Sequence, residues 1–191
     1  MIMQRLRSAA ALLLLFVTSA LAQTTEDEMQ FMNRIAEASN SVSAETAKEA
    51  YAQCQSLARE LAANTAFKPM QKLYFEAELE SCFSYAMNNG NFSDATGNAC
   101  SHHYAFASKL ADVITQSQGQ TGFTGELMQV MGDRLERAGE IGPDLGCKGD
   151  YAAFAPAVAL AKQAAAIPAP EPDFTLLDEI STITTQLTEA N

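Results

Sequence analysis

The sequence predicts an all-α protein: an up-and-down helical bundle of about five main helices, with short amphipathic segments at its ends, stapled by two disulfides. Apolar residues recur at three- and four-residue steps along most of the chain, and alternating apolar patterns are scarce. Four cysteines, no Trp and no internal repeat complete the pattern, so one bundle accounts for the chain most economically.

The N-terminus places Arg5 and Arg7 before an uninterrupted small and apolar run from Ala9 to Val17, and then Thr18-Ser19-Ala20-Leu21-Ala22. That order of positive, apolar and small is the order of a cleavable secretory signal peptide, residues 1–22, with Gln23 the first mature residue. The apolar run is about half the ~20 residues that a bilayer-spanning helix needs. No cysteine follows the cleavage box to carry a lipid anchor. The expectation is a periplasmic or secreted protein whose mature chain does not insert into a membrane. Losing Arg5 and Arg7 leaves ten basic residues against twenty-three acidic ones, which takes the net charge from -11 to about -13. Such a charge argues against nucleic acid and anionic lipid as partners, and it is compatible with a basic protein or simply with solubility.

The mature part divides into a helical domain over 23–166, a Pro-rich linker at 167–173 and a short amphipathic C-terminal helix or tail at 174–191. Met29, Met32 and Ile35 mark a short opening helix. From Ser43 to Leu61 the residues Ala47, Ala50, Tyr51, Cys54, Leu57, Ala58 and Leu61 form one helical face. Asn64-Thr65 ends it, and Pro69 opens the next helix, which runs to about Met87 with apolar residues on more than one stripe. Asn88-Asn89-Gly90-Asn91 is a turn, and Ser93 or Asp94 is the expected cap of a third helix carrying Cys100, His103, Ala107, Leu110 and Ile114. A Gly-rich loop from Gln118 to Gly125 precedes a fourth helix through Leu127, Val130, Met131, Leu135 and Ala138, ended by Gly139 and Gly142-Pro143. An Ala-rich fifth helix starts near Asp150, and Pro156 either kinks it or marks its first turn. In the tail Leu176, Leu177, Ile180, Ile183 and Leu187 keep helical spacing, but the interspersed threonines weaken it, so it needs a surface to pack on.

Cys54, Cys82, Cys100 and Cys147 form a structural disulfide framework, and none lies in a C-x-x-C. Counting helical rise from the expected ends puts all four near one pole and favours the nested pairs Cys82 with Cys100 and Cys54 with Cys147. The alternative pairs are Cys54 with Cys82 and Cys100 with Cys147.

Candidate chemistry is sparse. His103 shares a seam with Cys100, whereas the adjacent His102 points elsewhere, and the plain reading of His103 is a core histidine bonded to a carbonyl. Cys100-Ser101-His102-His103 is similar to secreted phospholipases A2 in placing a cysteine three residues before the histidine. That resemblance implies a general base on water, but Tyr104 stands where that family has an aspartate and no calcium loop precedes it. Met29-x-x-Met32 and Met128-x-x-Met131 have thioether spacing for Cu(I), or serve as core filling. Glu76, Glu78 and Glu80 read as a solvated acidic face, with Glu76 and Glu80 together and Glu78 pointing away. Asn91-Phe92-Ser93 is a formal glycosylation acceptor. No motif calls for a catalytic residue, cofactor or metal ligand. The leading expectation is a non-enzymatic protein-binding module with a protein partner, such as an inhibitor, immunity factor or assembly accessory. The alternatives are a small-molecule or metal binder in the bundle interior near His103, and a hydrolase of unrecognised type with His103 as base.

Overall fold

The computed structural model describes residues 26–40, 42–118 and 125–166. The signal peptide, the Pro-rich linker, the tail and most of the Gly-rich loop lie outside the described residues. The described residues form α1 (26–40), α2 (Ala47–Ala63), α3 (Pro69–Gly90), α4 (Ala99–Gln116), α5 (Gly125–Asp144) and α6 (Ala155–Ala165), with a 3-10 turn at Tyr151–Phe154 leading into α6. The all-α bundle is therefore as the periodicity predicts, and no strand occurs among the described residues.

The helix starts follow from local side-chain chemistry. Pro69 sits in the first turn of α3, and the Gln71 side chain accepts the Lys68 N–H at 2.7 Å. At α4 the cap is Asn98, not Ser93 or Asp94. Asn98 Oδ1 accepts the Ser101 N–H at 2.9 Å, and Ser101 Oγ accepts the Asn98 N–H at 2.8 Å. Asp94 is spent instead on a tight turn, where its carboxylate accepts the Thr96 N–H at 2.7 Å and its backbone pairs with Gly97. α5 runs on through Gly139 and Gly142, which the sequence reads as its stop, and Pro156 lies in the first turn of α6.

Two glycines of α5, Gly142 and Gly132, have packing reasons to be where they are. A Cβ at Gly142 would collide with the Tyr151 ring, and one at Gly132 would lie 2.7 Å from Ala161 Cβ. Gly125 likewise lies against Ala164 and Ala165 of α6, so two glycines seven residues apart bring the α5 backbone close to α6.

Two hydrophobic cores share α3. On one side Phe31, Ile35 and Ala38 of α1 pack with Cys54, Leu57 and Leu61 of α2 against Phe75, Leu79 and Cys82. On the other, α4, α5, the 3-10 turn and α6 enclose Leu110, Ile114, Met131, Leu135 and Tyr151. In α1 the buried stripe is Phe31, Ile35 and Ala38, whereas Met29 is exposed.

All four cysteines are disulfide-bonded, but in the other pairing: Cys54 with Cys82 and Cys100 with Cys147. The nested pairs fail because α4 begins at Ala99 and α3 extends to Gly90. Cys100 is thus in the first turn of α4 while Cys82 lies eight residues below the end of α3, a height difference of roughly 10 Å. Cys82 faces α2 inside the first core, and Cys100 meets the chain leaving α5. The bridges close sequence separations of 28 and 47 residues, worth about 3.6 and about 4 kcal/mol on the chain-entropy account. We expect a non-reducing peptide map to return these two pairs. Cys100→Ser with Cys147→Ser should lower the unfolding free energy by about 2–4 kcal/mol in urea titration, whereas a map with Cys82 joined to Cys100 would refute the register of α4.

Candidate binding groove

α3, α4 and α5 alternate in direction. Glu76 and Ser84, ascending α3, meet Lys109 and Ala99, descending α4, and His103 of α4 meets Ala138 of α5. α4 is therefore the floor of a trough whose parallel walls are α3 and α5. The trough is an open cleft of about 510 Å³, with His103 and Phe106 in its floor. Tyr85 on the α3 wall and Leu145 just past the α5 wall are 59% and 47% exposed. Along α3 itself only Pro69, Glu76, Tyr85 and Asn88 are exposed, so the tyrosine stands out from an otherwise covered helix.

One end of the trough is closed by an ion pair. Arg134 donates to both oxygens of Glu78, with Nη2 to Oε2 at 2.8 Å, and its guanidinium lies over the Phe106 ring, 5.2 Å from the centroid. Glu78 is only 7% exposed. Burial works against the Arg134 charge, but the hydrogen bond and charge of Glu78 outweigh it and raise the arginine pKa. The neighbouring Tyr74 phenol is pushed up to about 12, first by burial and then by the Glu78 carboxylate. Arg137, further along the groove, bonds Glu140 at 3.0 Å on the surface.

No protein-family model, curated protein or solved structure matches the chain. The site has to be read from its own residues.

His103 borders the groove, and its Nε2 donates to the Ala138 carbonyl at 3.0 Å, the carbonyl-bonded histidine that the sequence suggests. His102, rather than His103, carries the carboxylate partner. It is 8% exposed, its Nδ1 lies 2.6 Å from Glu80 Oε2, and its Nε2 lies 3.4 Å from Thr96 Oγ1. Thr96 Oγ1 donates at 2.6 Å to Asp94, which also accepts from the Tyr51 hydroxyl. Lys109 Nζ sits 3.2 Å from Glu80 and 3.3 Å from Glu76. The chain Lys109, Glu80, His102, Thr96, Asp94, Tyr51 thus ties α4, α3, the 91–98 turn and α2 together. Burial pushes the Glu80 carboxyl up, yet the His102 hydrogen bond and the Lys109 charge leave it below its ordinary range. Thr96, Tyr51 and the turn backbone hold Asp94 down at about 2.

The acidic face expected on α3 is accordingly only partly solvated. Glu78 is buried on Arg134 and Glu80 is held by His102 and Lys109, because basic partners on α4 and α5 arrive from other parts of the sequence. Met128 and Met131 are core residues, and the Ser117 hydroxyl donates to Met128 Sδ at 3.3 Å. Met29 is exposed on α1, and Met32 packs against the first core, whereas Met128 and Met131 belong to the second. Among the described residues no group of three or more His, Cys, Asp or Glu is placed to hold a metal. Asn91 ends α3 in a left-handed conformation and is exposed. The sequence does not single out Tyr85, Phe106, Ile141, Leu145 or Arg134. The seven-residue spacing of Arg134 and Ile141 places both on one face of α5, with Leu145 just past its end, but only the fold shows that this face borders a gap.

Arg134→Ala should cost about 3 kcal/mol in urea unfolding, at the low end for breaking a buried pair because the arginine side chain is 35% exposed. Adding Glu78→Leu to Arg134→Met should restore most of it, and an Arg134→Ala variant of unchanged stability would refute the buried pair. Depressed carboxylates stabilise the fold above their unfolded pKa of about 4 and lose that contribution as pH falls through the lower folded value. We therefore expect stability to drop between pH 5 and pH 2. Glu80→Gln should lower it by about 1.5–3 kcal/mol at pH 7 and make the acid drop shallower; an unaltered pH profile would remove Glu80 from the network.

Proposed function

We propose that this chain is an exported, non-enzymatic helical binding module that receives side chains of a protein partner in the groove between α3 and α5. The supporting observation is the pair Tyr85 and Leu145, exposed on opposite walls of a trough whose cations are already paired internally. The trough is open along its length. Small-molecule sites, by contrast, bury most of their ligand's surface. Two disulfides suit a module working in an oxidising compartment. No described helix is long and apolar enough to cross a membrane.

A second reading is a small-molecule binder at the same place, favoured by a volume inside the usual ligand range and by His103 in the lining. A hydrolase with His103 as base would have to use Nδ1, because Nε2 donates to the Ala138 carbonyl.

The test is native mass spectrometry of the protein recovered from its own exported compartment, beside a Tyr85→Ser, Leu145→Ser double variant. A second polypeptide should accompany the wild type and be reduced at least about tenfold on the variant, as expected when a central tyrosine anchor is lost. The melting temperature of the variant should stay within a few degrees. Equal capture by both proteins would refute the groove, and a small-molecule adduct in place of a polypeptide would favour the second reading.

A further inference from the structure

The groove has the proportions of a helix. From the Glu78–Arg134 pair that closes one end, the α3 wall runs ten residues to Asn88 and the α5 side eleven to Leu145. At about 1.5 Å per residue both walls are roughly 15 Å long, the length of some ten helical residues or nearly three turns. Between them Tyr85, Phe106, Ile141 and Leu145 supply an apolar strip, against which residues at i, i+4 and i+7 of an incoming helix would lie.

Charge then selects among possible occupants. Arg134 is spent on Glu78 and Arg137 on Glu140. Asp133, Arg137, Glu140 and Asp144 follow one another at helical spacing along the α5 rim. Counting Glu78 and Arg134 with them gives four carboxylates against two guanidinium groups, so the groove and its rim are net negative on a chain of net charge -11. The chain's own residues 167–191 are a poor occupant, since they carry Glu171, Asp173, Asp178, Glu179 and Glu189 and no Lys or Arg. A second copy brings the same negative charge.

We infer that the groove docks one cationic amphipathic helix of a partner protein, about three turns long. Its apolar stripe lies between Tyr85 and Leu145, and its Lys or Arg flank lies against the Asp133, Glu140 and Asp144 rim. This rests on the protein-binding reading above and names the chemistry of the partner.

The test uses the full mature chain and two fluorescein-labelled, end-capped peptides of fourteen residues. Both carry Leu at positions 2, 6, 9 and 13; one has Lys, the other Glu, at its remaining polar positions. Fluorescence anisotropy should show the Lys peptide binding at least tenfold more tightly than the Glu peptide, and more weakly as salt is raised from 50 to 300 mM. Tyr85→Ala and Leu145→Asp should each weaken the Lys peptide at least tenfold, while Met29→Asp, on the far side of the bundle, leaves it unchanged. Circular dichroism melts of the variants confirm that they are folded. Equal binding of both peptides, or Lys-peptide binding indifferent to the groove variants, would overturn the inference. So would a tighter site after deletion of residues 167–191, which would make the tail the occupant. A dimer in sedimentation that Leu145→Asp dissociates would overturn it in favour of a second copy. If neither peptide binds while the Tyr85→Ser, Leu145→Ser variant still loses its captured partner, the cationic helix is wrong and the protein-binding reading stands.

Discussion

α3 belongs to two cores at once, and that double burial governs much of the rest. A helix packed by α1 and α2 on one flank and by α4 on the other has little surface left for its charged residues, and of the α3 glutamates at alternate positions Glu76 stays exposed while Glu78 and Glu80 are covered. Burying a lone carboxylate is costly, so each needs a partner. Arg134 comes from α5 for Glu78, and His102 and Lys109 come from α4 for Glu80. These pairs do not add much net stability over an apolar core of the same shape. They do penalise any register in which α4 or α5 is displaced by a turn, because a buried carboxylate would then be left bare. The disulfides act at the same two junctions, Cys54 with Cys82 across α2 and α3, and Cys100 with Cys147 across the start of α4 and the exit of α5.

Close approach of α5 and α6 is the complementary constraint. Gly125 and Gly132 present bare backbone seven residues apart, and Ala161, Ala164 and Ala165 of α6 lie on it. α5 is thereby packed on α6 along one face while another face meets α4 through Ala138 and His103. Of its other apolar residues, Val130 is exposed, whereas Ile141 and, just beyond the helix, Leu145 border the gap across which α3 stands. The groove is thus the space left where α4 lies at the bottom between two parallel neighbours.

The elements were legible because amphipathic helices announce themselves by period: the five main helices, the Pro69 start and the all-α class follow directly from the sequence. What escaped depends on quantities that periodicity does not carry. Asn98 and Ser101 form a reciprocal cap, but Ser93 and Asp94 offer the same side-chain oxygens five residues earlier, and choosing between them moves Cys100 by about a turn and a half. That single shift was enough to exchange the disulfide partners. The carbonyl-bonded His103 was legible in the same way, but the partner of His102 was not. His103 does lie toward the α5 seam, but His102, one residue back, is turned by about 100° toward α3, and the burial of that face is set by Glu80, twenty-two residues away.

The groove escaped for a deeper reason: it is a property of an arrangement, not of a segment. No residue in it is unusual for its helix, and the distinguishing fact is negative, that Tyr85 and Leu145 border a space that no described element fills. The same fact bears on what the surface can recognise. With both arginines bonded to their own glutamates, anchoring has to come from apolar contact, and charge enters mainly through the acidic rim. Charges at a rim steer encounter and exclude wrong partners more than they add affinity. On the binding reading proposed above, an acidic chain with an apolar trough of helical length would select by repulsion as well as by fit, disfavouring acidic segments whatever their apolar spacing.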